Sequence, residues 1–179
     1  MHFRTNYASP VGMLTLASDG EALAGLWLQG QKYFSDTVVG EAVEIDDLPV
    51  FEAAKRWLDR YFAGDKLASA ELPLAPIGSE FRRQVWKILC EIPYGETMTY
   101  GEIAKRMTSK RTGAKMSSRA VGGAVGHNPI SIIIPCHRVV GSNGSLTGYA
   151  GGIFRKVWLL KNEDVDMSLL TVPLDAAAI

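Results

Sequence analysis

The stretch ISIIIPCHRVVG, residues 130–141, constrains this chain more than any other. An apolar run of this kind has to be buried, and it reads as a short core strand. It ends in Pro135, Cys136, His137 and Arg138, so a core segment delivers a thiol, an imidazole and a guanidinium into the interior. Along a regular strand adjacent side chains point to opposite faces, which would keep Cys136 and His137 apart. Proline has no backbone N–H and pre-sets a turn or the start of a helical turn. The backbone is therefore expected to break at Pro135 and turn both side chains toward a common cavity, directly or through a water.

A cysteine thiol is only about a few per cent ionised at neutral pH and becomes a good nucleophile beside a base or in a positive field. His137 can supply the base and Arg138 the field. A histidine base usually has an orienting partner. No Asp or Glu lies between residues 103 and 162, which leaves Glu163 as the candidate. The plainer readings are a buried inert cysteine and a satisfied core histidine. A Cys and His pair by itself would equally suit a thiol hydrolase.

His2, His127 and His137 fall in no zinc-ligand spacing with Cys90 or Cys136, so no metal site is expected. Cys90 lies beside the apolar face of its helix and is assigned to the core. The opening residues MHFRTNYASP have no apolar leader, and the longest uncharged run, residues 120–136, is interrupted by glycines, Asn128 and Pro129. These features give the expectation of a soluble intracellular protein in a reducing compartment, without a disulfide and without a membrane partner.

A formal charge of zero conceals a partition. Residues 1–78 carry a net −5, residues 79–163 a net +8 and residues 164–179 a net −3. A basic block between acidic ones suits one half to a polyanion and not the other, although a solvated basic face would look the same.

The first thirty residues alternate apolar runs with turn signals, SPVG and SDGE, as a small antiparallel meander does. An amphipathic helix follows, with Phe51, Ala54, Trp57, Leu58, Tyr61 and Phe62 on one face and Gly64 as its stop. ELPLAPIGS reads as a linker. Beyond it, Ser79 caps a helix that buries Phe81, Val85, Ile88, Leu89 and Ile92 and ends before Pro93. Thr99 and Glu102 form a capping box for the next helix, and Ser117 or Ser118 caps another, separated by the basic loop TSKRTGAK. Two short helices in a basic region outline a helix-turn-helix, although the connection exceeds the usual three or four residues. VVGSNGSLTGY then reads as a hairpin or wing with Asn143 and Gly144 at its tip. A last helix is expected to turn Val157, Trp158 and Leu159 or Leu160 inward.

IPCHRVV, preceded by RAVGGAVGHNPISI and followed by GSLTGYAGG and WLLKNE, resembles the O6-alkylguanine-DNA alkyltransferases, also called methylated-DNA-protein-cysteine methyltransferases. The resemblance runs from Ser79 to Glu163 and includes PYGETMTYGEIA. It implies an α+β fold: an N-terminal small β-sheet plus helix, ribonuclease-H-like, in residues 1–75, a winged helix-turn-helix in residues 76–165, and a tail in residues 166–179. It implies direct-reversal repair of double-stranded DNA containing O6-alkylguanine, with O4-alkylthymine as a further substrate. The acceptor thiolate would take the alkyl group irreversibly, in a single turnover, by a cytoplasmic, nucleoid-associated monomer (nuclear in a eukaryote) that needs no cofactor.

Carried over position by position, the resemblance makes Cys136 the acceptor, His137 the base acting through a water and Glu163 its orienting carboxylate. Tyr100 would turn the nucleotide and donate a proton to the leaving guanine. Because a damaged base is hidden in the stack, it must be flipped out, and Arg119 would fill the vacated space. Ser118, Ala120, Gly122 and Lys115 would join Arg119 against DNA, with Gly122 and Gly123 allowing close approach. Asn128 would be the hinge between recognition helix and acceptor segment, or simply a turn residue before Pro129. The carbonyls of Cys136 and Val139 would accept from the guanine amine, the N–H of Ala150 would face O6 and Tyr149 would wall the pocket. Ser131 and Ala150 stand where some members have proline and serine, implying a differently shaped pocket; the loop at residues 107–117 is longer than in many members and would either add Lys110, Arg111 and Lys115 as phosphate contacts or simply be mobile. A non-catalytic damage sensor would lack the acceptor thiol, and a winged-helix regulator would ignore alkylation.

Overall fold

A computed structural model describes residues 1–38, 41–108 and 116–173. Strands β1 (His2–Ser9), β2 (Gly12–Ser18) and β3 (Leu23–Leu28) form the expected meander, and β4 (Ala42–Glu44) adds to β1 in parallel, giving the order β3-β2-β1-β4. Every residue of β3 is buried, whereas β1 alternates. This follows from position: β3 is covered on both faces, so its sequence LAGLWL is apolar throughout.

Helix α1 (Pro49–Phe62) begins with proline in its first turn and lays Val50, Phe51, Ala54, Trp57, Leu58 and Tyr61 on the sheet. Gly64, at φ +97°, takes the left-handed position just past its end. The segment read as a linker is docked. Leu23 N–H donates to Pro73 O at 2.8 Å and Ala75 N–H to Leu23 O at 2.9 Å, so the chain runs along the free edge of β3 before leaving the sheet.

Helix α2 (Glu80–Cys90) is capped by Ser79 as expected. Its buried face is Val85, Trp86 and Leu89; Phe81 and Ile88 are only half-buried, and Trp86 uses its indole N–H to reach Ala124 O at 2.9 Å. Cys90 corrects the sequence reading: it is exposed, because the core contact of that turn goes to Trp86 and Leu89. Strand β5 (Met98–Thr99) pairs in parallel with β6 (Val139–Val140), and the Thr99 and Glu102 capping box starts α3 (Tyr100–Met107). Helix α4 (Ser118–Gly126), capped by Ser117, packs on α2 and α3. Lys110, Arg111 and Lys115 lie outside the described residues.

Two further readings are corrected. Residues 131–134 form no strand: only Ile130 bridges to Leu26, and Ile132 has φ +70°. The wing is not a two-stranded hairpin. Residues 141–145 close as a turn, with Gly141 N–H on Ser145 O at 2.9 Å, and its outer edge pairs with the tail through Leu146 N–H on Thr171 O at 2.9 Å and Thr171 N–H on Gly144 O at 3.0 Å. Tail residues to 173 are thereby held against the wing and against α5 (Ile153–Asn162). In α5 the buried side chains are Lys156, Leu159 and Leu160, whereas Val157 and Trp158 are half-buried.

Candidate active site

The segment that carries Cys136 is built by turns rather than by a ladder. Ile130 pairs with β3 on both sides, Leu26 N–H donating to Pro129 O and Ser131 N–H to Leu26 O, each at 2.8 Å. The backbone then reverses. Ile132, a β-branched residue with positive φ, is a strained position of the kind that persists only where surroundings over-determine it. Here the surroundings are the Ser69 hydroxyl on Ile133 O at 2.5 Å, and Gln31, which accepts from both Ser131 Oγ at 3.1 Å and Leu28 N–H at 2.8 Å. After Pro135 the chain makes a single 3₁₀ turn over Cys136–Arg138, so consecutive side chains diverge instead of alternating across a sheet.

Cys136 is 5% exposed, and Asn128 Nδ2 stands 3.1 Å from its Sγ. The same nitrogen reaches Ile134 O at 2.8 Å, while Asn128 Oδ1 accepts from Ile130 N–H at 3.1 Å. Asn128 thus bonds both ends of the reversal as well as the thiol. Burial pushes the Cys136 thiol up, with Asn128 and the Lys156 ammonium pulling the other way.

His137 is fully buried. Its Nε2 lies 2.6 Å from Glu163 Oε1, and its Nδ1 has no protein partner among the described residues. A carboxylate on Nε2 fixes that nitrogen as the N–H and leaves Nδ1 as the basic one. Burial lowers the affinity of the ring for a second proton more than Glu163 raises it. Glu163 closes the end of α5, where the helix dipole disfavours an anion. Arg138 offsets this: Nε meets Oε2 at 2.7 Å, Nη2 meets Oε1 at 3.0 Å and Nη1 reaches Ile92 O at 2.6 Å. Burial alone would push the Glu163 carboxyl up, but His137 and Arg138 together hold it well below the usual carboxylate range.

Of the predicted pocket residues, Tyr149 and Ala150 line one cavity, whereas Asn128, Ser131 and Val139 are bonded outside it. Tyr100, first residue of α3, sends its hydroxyl to Thr147 O at 3.2 Å, across from Gly122 of α4. A Cβ on Gly148, which has φ +75°, would sit 2.8 Å from that hydroxyl. Burial, then proximity to Cys136, pushes the Tyr100 phenol up to about 12, so it is a neutral donor near pH 7. A cavity of about 250 Å³ is lined by Tyr33, Gly122, His127, Gly148, Tyr149 and Ala150 among others. Val139 is buried and gives its carbonyl to Lys156 Nζ at 2.5 Å. Ser131 is buried too, but its hydroxyl turns to Gln31. Ser118, Arg119 and Ala120 are exposed along the first turn of α4. A larger hollow of about 570 Å³ on the outer side of the sheet, lined by Arg4, Trp27 and Phe34 among others, contains none of these residues.

Three residues near the site were not singled out from sequence. Tyr61 donates to Glu163 Oε1 at 2.7 Å. Lys156, 0% exposed, bonds the carbonyls of Val139 and Thr147, and burial brings its amine down to about 8. Tyr33 stacks on His127 with ring centroids 3.8 Å apart, and Lys32 N–H bonds Ala150 O at 3.0 Å, so the loop after β3 borders the cavity. For Tyr61 and Lys156 the one local signal is a buried polar tip on an otherwise apolar helix face, which has to find a partner; Tyr33 sits in a turn and carries no such signal.

Comparison with known families decides the relationship. Residues 3–76 match the ribonuclease-like domain of 6-O-methylguanine DNA methyltransferase, and residues 80–165 match its DNA-binding domain. The chain belongs to this family. A relative from Methanosarcina acetivorans named methylated-DNA–protein-cysteine methyltransferase is 49% identical over 158 residues, 88% of this chain and 95% of the relative. One of the same name from Haemophilus influenzae is 42% identical over 163 residues, 91% of this chain and 87% of that one. Among solved structures, Mycobacterium tuberculosis OGT in complex with DNA is 43% identical with a TM-score of 0.77, covering 97% of this chain and 96% of that one. The mixed α+β architecture is thus that of the 6-O-methylguanine DNA methyltransferases, a ribonuclease-like part followed by a DNA-binding part. Among the described residues no helix is long and apolar enough to cross a membrane, and no cluster of three or more His, Cys, Asp or Glu side chains could hold a metal ion.

Proposed function

We propose that the chain is a methylated-DNA–protein-cysteine methyltransferase that reverses O6-alkylguanine in double-stranded DNA by moving the alkyl group to Cys136, once per molecule. The observation that carries this is the thiol of Cys136, bonded by Asn128, on the same 3₁₀ turn as His137, whose Nε2 meets Glu163 from the end of α5. In the step, the sulfur to carbon bond forms as the carbon to O6 bond breaks. The thiol proton passes through water to Nδ1 of His137, and the leaving guanine gains a proton from the Tyr100 hydroxyl. Because burial holds the thiol protonated, base assistance is required rather than optional. Because burial also keeps His137 neutral, the base is ready near pH 7.

The exposed first turn of α4, with Ser118, Arg119 and Ala120, and the glycines behind it suit close approach to the duplex. Arg119 fills the space of the flipped base, Lys115 adds a phosphate contact, and the flipped base enters between Tyr100, Tyr149 and Ala150. Residues 1–75 act as the structural domain, 76–165 as the DNA-binding and acceptor domain, and the protein acts as a monomer; O4-alkylthymine follows the same route. Incubation with a duplex bearing O6-methylguanine should add about one methylene mass, roughly 14 Da, to the peptide containing Cys136. The Cys136→Ala protein should gain none. An unmodified chain after excess substrate, with the thiol reduced and the fold intact, would end this reading.

A further inference from the structure

We infer that Tyr61, a residue of helix α1 in the sheet-bearing half, is a positioning residue for alkyl transfer, its phenol holding Glu163 in the orientation that keeps His137 as proton acceptor. The inference rests on the reading of Cys136 as the acceptor.

The carboxylate of Glu163 is 1% exposed, and an ionised carboxylate accepts about four hydrogen bonds. Oε1 receives His137 Nε2 at 2.6 Å, Tyr61 OH at 2.7 Å and Arg138 Nη2 at 3.0 Å; Oε2 receives Arg138 Nε at 2.7 Å. The phenol is therefore one of four donors to a group that water does not reach, and it comes from the other half of the chain, 102 residues away. Tyr61 itself is 0% exposed and its ring is fixed on several sides. Trp57 stacks on it at 5.4 Å between centroids, and Phe62 and Tyr94 meet it edge-on at 5.2 and 6.4 Å. Its backbone carbonyl accepts from Asn162 Nδ2 at 3.2 Å, so the same turn of α1 grips both the end of α5 and the carboxylate that follows it.

Burial, then the Glu163 charge, keeps the Tyr61 phenol protonated, so it acts only as a donor. Each donor shared with Glu163 reduces the charge that carboxylate turns toward the imidazole. The charged and titratable groups around His137 are Glu163 at the end of α5, Lys156 of α5, Arg138 and Cys136 on the 3₁₀ turn and Tyr61 of α1; Tyr94, from the loop after α2, lies against Arg138 and Tyr61. Of these, Tyr61, Arg138 and His137 itself bond the carboxylate, and Arg138 stays charged throughout. Removing the phenol therefore strengthens the pull of Glu163 on a protonated ring and occupies the base at higher pH.

The test is single-turnover methyl transfer from an O6-methylguanine duplex to the full chain and to Tyr61→Phe, across pH 5 to 9. The expected result is a transfer rate constant lower by about 5- to 10-fold, duplex affinity within about 2-fold, and an acidic limb moved to higher pH by about half a unit or more. Trp57→Phe, in the same aromatic stack but bonded to Ala68 O and not to Glu163, should lower thermal stability without moving the limb. A Tyr61→Phe limb that stays in place, or one that Trp57→Phe moves equally, overturns the inference. Should Tyr61→Phe fail to fold, the unsubstituted protein still decides: the Tyr61 hydroxyl proton should exchange slowly and resonate downfield by NMR, and rapid exchange overturns the assignment. Absence of any methyl on Cys136 in the unsubstituted chain would instead be a failure of the proposed function, a distinct outcome.

Discussion

Asn128 Nδ2 lies 3.1 Å from Cys136 Sγ and 2.8 Å from Ile134 O, so one amide serves both the Cys136 thiol and the backbone reversal that presents it. The first prediction comes from this sharing. Asn128→Ala should slow methyl transfer at least about 10-fold and destabilise the fold by about 1–3 kcal/mol, because buried carbonyls lose their donor. Single-turnover rates and urea melts on the same preparation measure both effects. A variant that lost only stability would separate the amide from the thiol chemistry.

Arg138 and Glu163 form the second case. Arg138→Met leaves the buried Glu163 carboxylate with only His137 and Tyr61 as donors. Removing one partner of a buried ion pair costs about 3–5 kcal/mol, so urea denaturation should show a loss of that order. A loss under about 1 kcal/mol, the size of an exposed pair, would mean that water reaches Glu163.

Acid should weaken the fold in two stages of the same sign. Burial holds folded His137 below its ordinary 6.5, so below that pH the unfolded chain takes up the proton first; this part of the stability is present above the unfolded value and lost as pH falls. Glu163 in the fold lies well below its ordinary 4.5, so its contribution is present above 4.5 and lost as pH falls toward its folded value. Urea midpoints should therefore decline between pH 7 and pH 4. A flat or rising profile would contradict both assignments.

Arg119, exposed on the first turn of α4, should act on flipping rather than on association. Arg119→Ala should reduce methyl transfer from duplex by about 10-fold or more while weakening duplex affinity only modestly, because unstacking a base costs about a few kcal/mol that association does not. For the unsubstituted protein, affinity should fall as salt rises. Equal losses of affinity and rate in the variant would remove the intercalating role.

What was legible in the sequence was local or a matter of scarcity. Ser79, Ser117 and the Thr99 and Glu102 box announce helix starts through chemistry confined to one turn, and the α1 face could be read from its period. Glu163 stood out because no other acid was near, and the structure places it on His137. Residues 130–134 misled because a run of isoleucines has no period that distinguishes a strand from a buried turn, and what bends it, Ser69, Gln31 and Asn128, is mostly distant in sequence. Tyr61 and Lys156 sat on faces whose apolar neighbours hid them, and only the fold shows which partners await their polar ends. Cys90 went the other way, since a bulky Trp86 one turn earlier took the contact.

Strand β3 touches more than its own sheet. Leu23 exchanges two backbone bonds with the stretch around Leu74, and Leu26 exchanges two more with Pro129 and Ser131, a few residues before the Cys136 turn. The two halves of the chain are therefore stitched along one common seam. Heating should melt them together in a single endotherm, and a cut that released the sheet would leave the thiol without its mould.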